Sequence, residues 1–404
     1  MKLEDFEGAR DLLKGIVRET RLIRSECFSD YCENDVYMKP ENMQVTGSYK
    51  IRGAYCKVMA LLREKKPRGI ITSSAGNHAQ GVAYAAQKAG VNATIVMPVT
   101  TPLVKVNNTK QYGAEVVLEG DYFDEAFQAA LRLAAQKGYE MIHPFNDLDI
   151  ALGQGTMVFE ILADLPEAEV LIVPVGGGGL AAGVSTLAKI INPEIHIIGV
   201  EPSGAASLSL SLKNGRISTV KNVQTIADGV AVATPGDIVF PYIKENVDEV
   251  LLVDDEELPT VFLDLVEKHK LIAENAGLLS LAALRKLNFK GRKVVSIISG
   301  GNMDVMTMAG MVQYGLVDRR RVFTFSALLP DRPGALTKLT GLVAKNKGNL
   351  IRLEHNRFVN VNRNAAVELE ITLEAFGREH RDEIMEALKE AGYDAHLSMT
   401  KTIT

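Results

Sequence analysis

Through its first three quarters the chain repeats one pattern: short, nearly continuous apolar runs separated by segments with helical spacing. The runs are Gly69–Ser73, Ala93–Met97, Glu115–Leu118, Val170–Val175, His196–Val200, Val250–Val253 and Val294–Ile298. They are rich in β-branched residues and bounded by Gly, Pro, Asp or Ser, as parallel strands buried on both faces are. Between them Asn77–Lys88, Gln154–Leu165, Leu180–Ile190 and Leu258–Lys268 read as helices. The alternation predicts an α/β sheet with helices on both faces. Ligands of such sheets gather where the C-terminal ends of strands turn into helices, so chemistry is expected in those turns.

The rhythm changes after Val317-Asp318-Arg319-Arg320-Arg321, a basic stretch that reads as a linker. Phe323–Ala327 alternates, and Pro333-Gly334 opens a helix bearing Leu336, Leu339, Leu342 and Val343. A strand is expected at Ile351–His355, and Val367–Leu373 alternates strictly. A helix carrying Ile384, Met385 and Leu388 follows, then a strand with Ala395, Leu397 and Met399. The order βαββαβ is ferredoxin-like. Two domains are expected, residues 1–320 and 321–404.

Composition narrows the function classes. With 47% hydrophobic residues the chain cannot be mainly disordered. A net charge of −5 over 404 residues argues against a nucleic-acid or anionic-membrane surface. Cys27, Cys32 and Cys56 are few, odd in number and not at metal spacing, which suits reduced thiols in the cytoplasm. Met1–Arg10 is too polar for a signal peptide, and Lys401–Thr404 matches no retention or lipidation signal. Val170–Ala188 is uncharged and long enough for a membrane span. Pro174 and the glycines that follow would break such a helix, so strand, turn and helix are expected instead. No metal site is expected, since the histidines are scattered and no zinc-type motif occurs. No Gly-x-Ser-x-Gly elbow marks a serine hydrolase.

Four segments carry candidate chemistry. In Thr46-Gly47-Ser48-Tyr49-Lys50-Ile51-Arg52-Gly53, a lysine between an aromatic and an aliphatic residue is placed for burial, which lowers its pKa and frees a nucleophilic amine for a Schiff base. Alone it also reads as a surface lysine on a helix turn. Ser73-Ser74-Ala75-Gly76-Asn77-His78 is a strand-to-helix turn whose N–H groups suit a carboxylate or phosphate. The plainer reading is helix capping by Ser74 or Asn77, with His78 a capping or packing residue. Gly176, Gly177, Gly178 and Gly179 cost backbone entropy, which close approach of a phosphate at a helix N-terminus would explain. A rival reading takes Gly177, Gly179 and Gly183 as a loosened dinucleotide fingerprint with Glu201 on a ribose, although the spacing is one residue too long. Ser299-Gly300-Gly301-Asn302 places a hydroxyl at a strand end, facing a ligand ring or merely making a turn.

Taken together and in this order, these segments resemble the threonine dehydratases (threonine ammonia-lyases) of the tryptophan-synthase-β-like pyridoxal-phosphate (PLP) enzymes. The resemblance runs through Thr46–Gly53, Ser73–Gly81, Pro174–Gly183, Gly199–Ser207 and Ser299–Asn302. It implies an α/β catalytic domain of PLP fold type II. It also implies that Lys50 holds the cofactor as a Schiff base and later moves the substrate Cα proton. Gly176 to Gly179 would hold the phosphate, Asn77 the ring hydroxyl and Ser299 the ring nitrogen. Tyr49, where the family usually has Phe, would pack on the cofactor. Ser74, Ala75, Asn77 and His78 would line the substrate carboxylate site. The implied reaction turns L-threonine into 2-oxobutanoate and ammonia, and L-serine into pyruvate. The tail, through Pro330-Asp331-Arg332-Pro333-Gly334-Ala335-Leu336, resembles an ACT domain, implying an amino-acid effector near Gly334 and a homo-oligomer, or dimerisation alone.

The alternatives are a serine racemase, a β-replacement enzyme, an inactive amino-acid sensor and, more distantly, a nicotinamide dehydrogenase. Against the racemase, Ala75 stands where a proton-transferring serine is expected. Its divalent-metal carboxylate pair is matched only by Glu201, with Ser207 at the second place.

Overall fold

The computed structural model describes residues 1–356 and 367–400. Lys401–Thr404, read above for targeting signals, lie outside the described residues. The chain forms two compact units: Met1–Leu258 with Leu265–Asp304, and Pro259–Asp264 with Val305–Thr404.

The first unit is built on two sheets from ten strands: β1 (Ile23–Arg24), β2 (Asp35–Pro40), β3 (Ile70–Ser73), β4 (Ala93–Met97), β5 (Glu115–Leu118), β6 (Glu140–Met141), β7 (Val170–Pro174), β8 (His196–Pro202), β9 (Glu249–Val253) and β10 (Lys293–Ile298). One sheet has the order β1-β2-β10-β7-β8-β9 and is parallel except at β1. The other, β5-β4-β3-β6, is wholly parallel. All seven expected strands are present. The three unexpected ones are the two-residue β1 and β6, and β2, whose Lys39 is fully buried.

Each sheet has its own core. Leu171, Val173, Val295 and Ile297 pack on the helix Gly179–Ile191 through Leu180, Val184 and Leu187. Ile70, Ile95 and Met97 pack with Ala54 and Val58 of the helix Lys50–Glu64 and with Val82 of the helix Asn77–Ala89. Each such buried Val, Leu, Ile or Met side chain contributes roughly 1.5–3 kcal/mol. The expected helix Gln154–Leu165 is instead two, Leu148–Gly155 and Met157–Asp164. A Cβ on Gly153 would lie 2.6 Å from the Arg52 carbonyl, and one on Gly155 2.5 Å from the Gly183 carbonyl, so the interruption lies where backbones touch. The expected helix Leu258–Lys268 likewise changes winding, becoming π-helical over Leu265–His269. No helix among the described residues is long and apolar enough to cross a membrane, and Val170–Ala188 is strand, turn and helix.

The second unit holds an antiparallel sheet of β11 (Val322–Leu329), β12 (Asn349–Asn356), β13 (Val367–Glu374) and β14 (Ala395–Ser398), in the order β12-β13-β11-β14. The helices Ala335–Lys345 and Arg378–Glu390 complete a βαββαβ order. Phe325, Leu369, Ile371 and Leu373 form its core with Leu339, Val343, Ile384 and Leu388. The basic stretch read as a linker begins inside the helix Val305–Asp318, which clusters with this unit.

Candidate active site

Three of the candidate segments converge on the C-terminal ends of β3, β7 and β10. Lys50 opens the helix Lys50–Glu64, and the preceding loop is stitched to the end of β10. Ser48 bridges to Gly300, and the Tyr49 N–H donates to the Ser299 carbonyl at 3.1 Å. The Lys50 Nζ donates to the Pro144 carbonyl at 3.0 Å and lies 5.4 Å from the Tyr49 ring centroid. Lys50 is therefore no surface lysine. Burial depresses its pKa to about 8, against the opposing pull of Glu274, so its neutral amine is far more populated than in free lysine. Burial also pushes the Tyr49 phenol up.

From Pro144 the chain runs straight to the glycine turn. A Cβ on Gly177 would lie 2.3 Å from the Phe145 ring, and one on Gly179 2.8 Å from the Phe145 carbonyl. Gly176 is closed by Val230, and Gly178 by Ile243 and by its φ of +101°. The glycines are thus demanded by protein neighbours, where ligand approach was the expected reason. Their N–H groups nevertheless find no acceptor among the described residues, and they open the helix Gly179–Ile191. Four consecutive free donors at a helix start make an anion cradle.

The turn after β3 supplies a second set. Ser74 Oγ accepts from the Gly76 N–H at 3.2 Å, while the N–H groups of Ala75, Asn77 and His78 have no acceptor among the described residues. Neither Ser74 nor Asn77 caps the helix Asn77–Ala89, whose cap position is Gly76 with no side-chain bond. Asn77 instead donates through Nδ2 to Glu274 Oε1 at 2.6 Å. His78 is buried, with Nε2 3.3 Å from the Ile142 carbonyl and Nδ1 without a partner. Burial first, then the nearby Lys50, lowers its pKa to about 3. Ser299 is buried at the end of β10, and the hydroxyls of Thr46, Ser48 and Ser73 are buried without partners.

A family model described as "Pyridoxal-phosphate dependent enzyme" matches residues 13–300. The chain belongs to the pyridoxal-phosphate-dependent enzymes. It is 45% identical to an L-threonine ammonia-lyase of Thermotoga maritima over 98% of this chain and 99% of that one. Among solved structures it resembles a processed threonine deaminase isoform 2 from Solanum lycopersicum, with TM-score 0.73, 38% identity, and coverage of 78% and 94% of the two chains. A maize serine racemase is similar at TM-score 0.73 and 33% identity, over 79% and 99%.

The α/β body of this pyridoxal-phosphate enzyme is that of fold type II, and the residues fit the cofactor. A buried lysine with a depressed pKa and a run of free N–H donors are what an aldehyde and a phosphate on one small molecule require. The dinucleotide reading fails on its own residues. Glu201 is fully buried and accepts the N–H groups of Leu208 at 2.7 Å and Ser209 at 2.8 Å. Gly183 is a packing glycine, since a Cβ there would lie 2.0 Å from the Ala151 carbonyl. Among the described residues no group of three or more His, Cys, Asp or Glu side chains is arranged to hold a metal.

Two contributors, Glu274 and Phe145, escape the sequence reading, and Asn302 is read there only as part of a strand-end turn; all three gain meaning through partners far along the chain. Burial raises the Glu274 pKa to about 7, with Asp228 adding to the rise and the Asn77 bond opposing it. Asn302 Nδ2 donates at 2.8 Å to both the Thr46 carbonyl and Asn77 Oδ1. The one signal for Glu274 is a lone carboxylate in the otherwise uncharged run Leu271–Leu284.

Proposed function

We propose that this chain is a threonine ammonia-lyase, which eliminates water from L-threonine and releases 2-oxobutanoate and ammonia, with L-serine a second substrate giving pyruvate. The carrying observation is the convergence of the Lys50 amine, the Gly176–Gly179 donors and the Asn77 and Ser299 side chains around the ends of β3, β7 and β10. A relative alike over nearly the whole chain bears the same activity in its name.

In this reading Lys50 binds the cofactor covalently and carries the substrate Cα proton, a role its depressed pKa favours. Gly176, Gly177, Gly178 and Gly179 hold the phosphate through N–H groups. Asn77 faces the ring hydroxyl, Ser299 the ring nitrogen, and Tyr49 packs beside them. The N–H groups of Ala75, Asn77 and His78, with Ser74, orient the substrate carboxylate. The bound cofactor supplies the electron sink.

Residues 321–404 serve in this reading as an ACT regulatory domain, residues 1–320 being catalytic. Gly334, with φ +85°, precedes the helix Ala335–Lys345 and would offer an amino-acid effector that helix start. The enzyme would be a cytoplasmic homo-oligomer. The test follows 2-oxobutanoate release from L-threonine by purified protein. Wild-type activity and its loss in Lys50→Ala are expected; equal activity in both would overturn the reading. Serine racemisation faster than pyruvate release would move the assignment to a racemase.

A further inference from the structure

One line of hydrogen bonds crosses the site from a backbone carbonyl to a buried carboxylate. It runs from the Thr46 carbonyl through Asn302 Nδ2 to Asn77 Oδ1, and from Asn77 Nδ2 to Glu274 Oε1. Space for it is kept by two glycines. A Cβ on Gly47 would lie 2.3 Å from Asn302 Oδ1, and one on Gly300 2.6 Å from Glu274 Oε1 and 3.0 Å from Asn77 Nδ2.

The line has one direction only. The Thr46 carbonyl can only accept, so Asn302 turns its amide nitrogen toward it and toward Asn77. Asn77 must then present its oxygen to Asn302 and its nitrogen to Glu274. The opposite orientation would set the Asn77 amide nitrogen against that of Asn302, two donors at 2.8 Å, and an amide oxygen against the ionised Glu274 carboxylate at 2.6 Å. Of the two Nδ2 protons one goes to Glu274, and one is left. Helix capping does not compete for Glu274, which stands at the cap position of the helix Asn275–Ala282 without a side-chain bond to it.

We propose that Glu274 is a positioning residue that locks the Asn77 amide, so that its remaining N–H faces the oxygen substituent of the cofactor ring. The proposal rests on the reading that Asn77 meets the ring hydroxyl. Glu274 acts through Asn77, the residue to which its Oε1 is hydrogen-bonded.

The test uses the protein loaded with pyridoxal phosphate and reads its visible absorption band and cofactor dissociation constant. Glu274→Gln keeps the shape of the side chain but replaces the charged acceptor with a neutral amide, so that Asn77 is oriented from the Asn302 end alone. It is expected to shift the band and to weaken cofactor binding about tenfold, the lower end for a lost bond to a charged group. Asn77→Ala is expected to shift the band likewise, and the double variant to be no worse than Asn77→Ala alone. Asn302→Ala, the second variant, attacks the same orientation from the other end and is expected to shift the band in the same direction. A wild-type band and affinity in Glu274→Gln beside a shifted Asn77→Ala would overturn the positioning role alone. A wild-type band in Asn77→Ala itself would remove the Asn77 assignment and the proposal with it.

Discussion

Arg52 grips Glu41 with two parallel hydrogen bonds, Nε to Oε2 and Nη2 to Oε1, both 2.8 Å, and the two side chains are 1% and 0% exposed. The other edge of the guanidinium donates to Glu160 at 2.7 and 3.0 Å. Lys39 closes the cluster on Glu160 and on the Thr20 carbonyl. Arg52 lies one residue from Ile51 and two from Lys50, so this cluster anchors the helix turn that carries the reactive amine. Removing one partner leaves a buried charge uncompensated, which costs about 3–5 kcal/mol. Arg52→Met is therefore expected to lower unfolding stability by about that amount in urea titrations. Arg52→Lys is expected to recover little, because an ammonium cannot make the paired bonds.

The same pair sets an acid limit. Burial works to raise the Glu41 pKa, but the Arg52 charge and bonds, with Lys39, outweigh it and hold it at about 2, below its ordinary 4.5. A carboxylate depressed in the folded state stabilises fully above its unfolded pKa and loses that contribution as pH falls through the folded one. The Glu41 contribution should thus be intact above about 4.5 and vanish toward about 2. Unfolding free energies of wild type and Glu41→Gln should differ near neutrality and converge across that window. A difference that stays constant down to its lower edge would show that Glu41 is not the group titrating.

His78 predicts a silent histidine. With its pKa at about 3, it stays neutral where an ordinary histidine titrates. Its Nε2 faces a carbonyl, so the proton sits there and Nδ1 is bare. Ring nitrogen shifts in labelled protein should place the proton on Nε2 and stay flat between about pH 5 and 8. A midpoint near the ordinary value of 6.5 would contradict the burial of the His78 ring.

What the sequence could tell, and what it could not, divides along physical lines. The buried parallel strands announce themselves because both faces are apolar, and the tail strand Val367–Glu374 because one face is. The strand β2 was hidden by Lys39, whose charge belongs inside only because Glu160, far along the chain, meets it. Lys50, Asn77, the glycine run and Ser299 were legible because each sits in a distinctive local motif. Phe145 was not, since no local pattern distinguishes a ring whose role is to touch a residue on another element; Glu274, a lone carboxylate in an uncharged run, and Asn302, part of the Ser299–Asn302 turn, stand out locally without showing which partners they meet. The glycine run was found for a partly different reason from the one its packing reveals.

That packing yields a coupled prediction. Gly177 has no room for a methyl group because the Phe145 ring would stand 2.3 Å from it. The Lys50 amine is bonded to the Pro144 carbonyl immediately before that ring. Gly177→Ala should therefore push Phe145 aside, displace Pro144 and disturb both the anion cradle and the lysine. Overpacking of this kind costs about 1–3 kcal/mol, and a drop in cofactor affinity of at least about tenfold is expected from the same displacement. Adding Phe145→Leu, which removes the obstructing ring edge, should restore part of both losses. The two substitutions in contact should then be non-additive by about 0.5–3 kcal/mol in thermal or urea unfolding. Strict additivity would mean that Phe145 does not dictate the glycine, and that the approach of the phosphate to the backbone alone requires it.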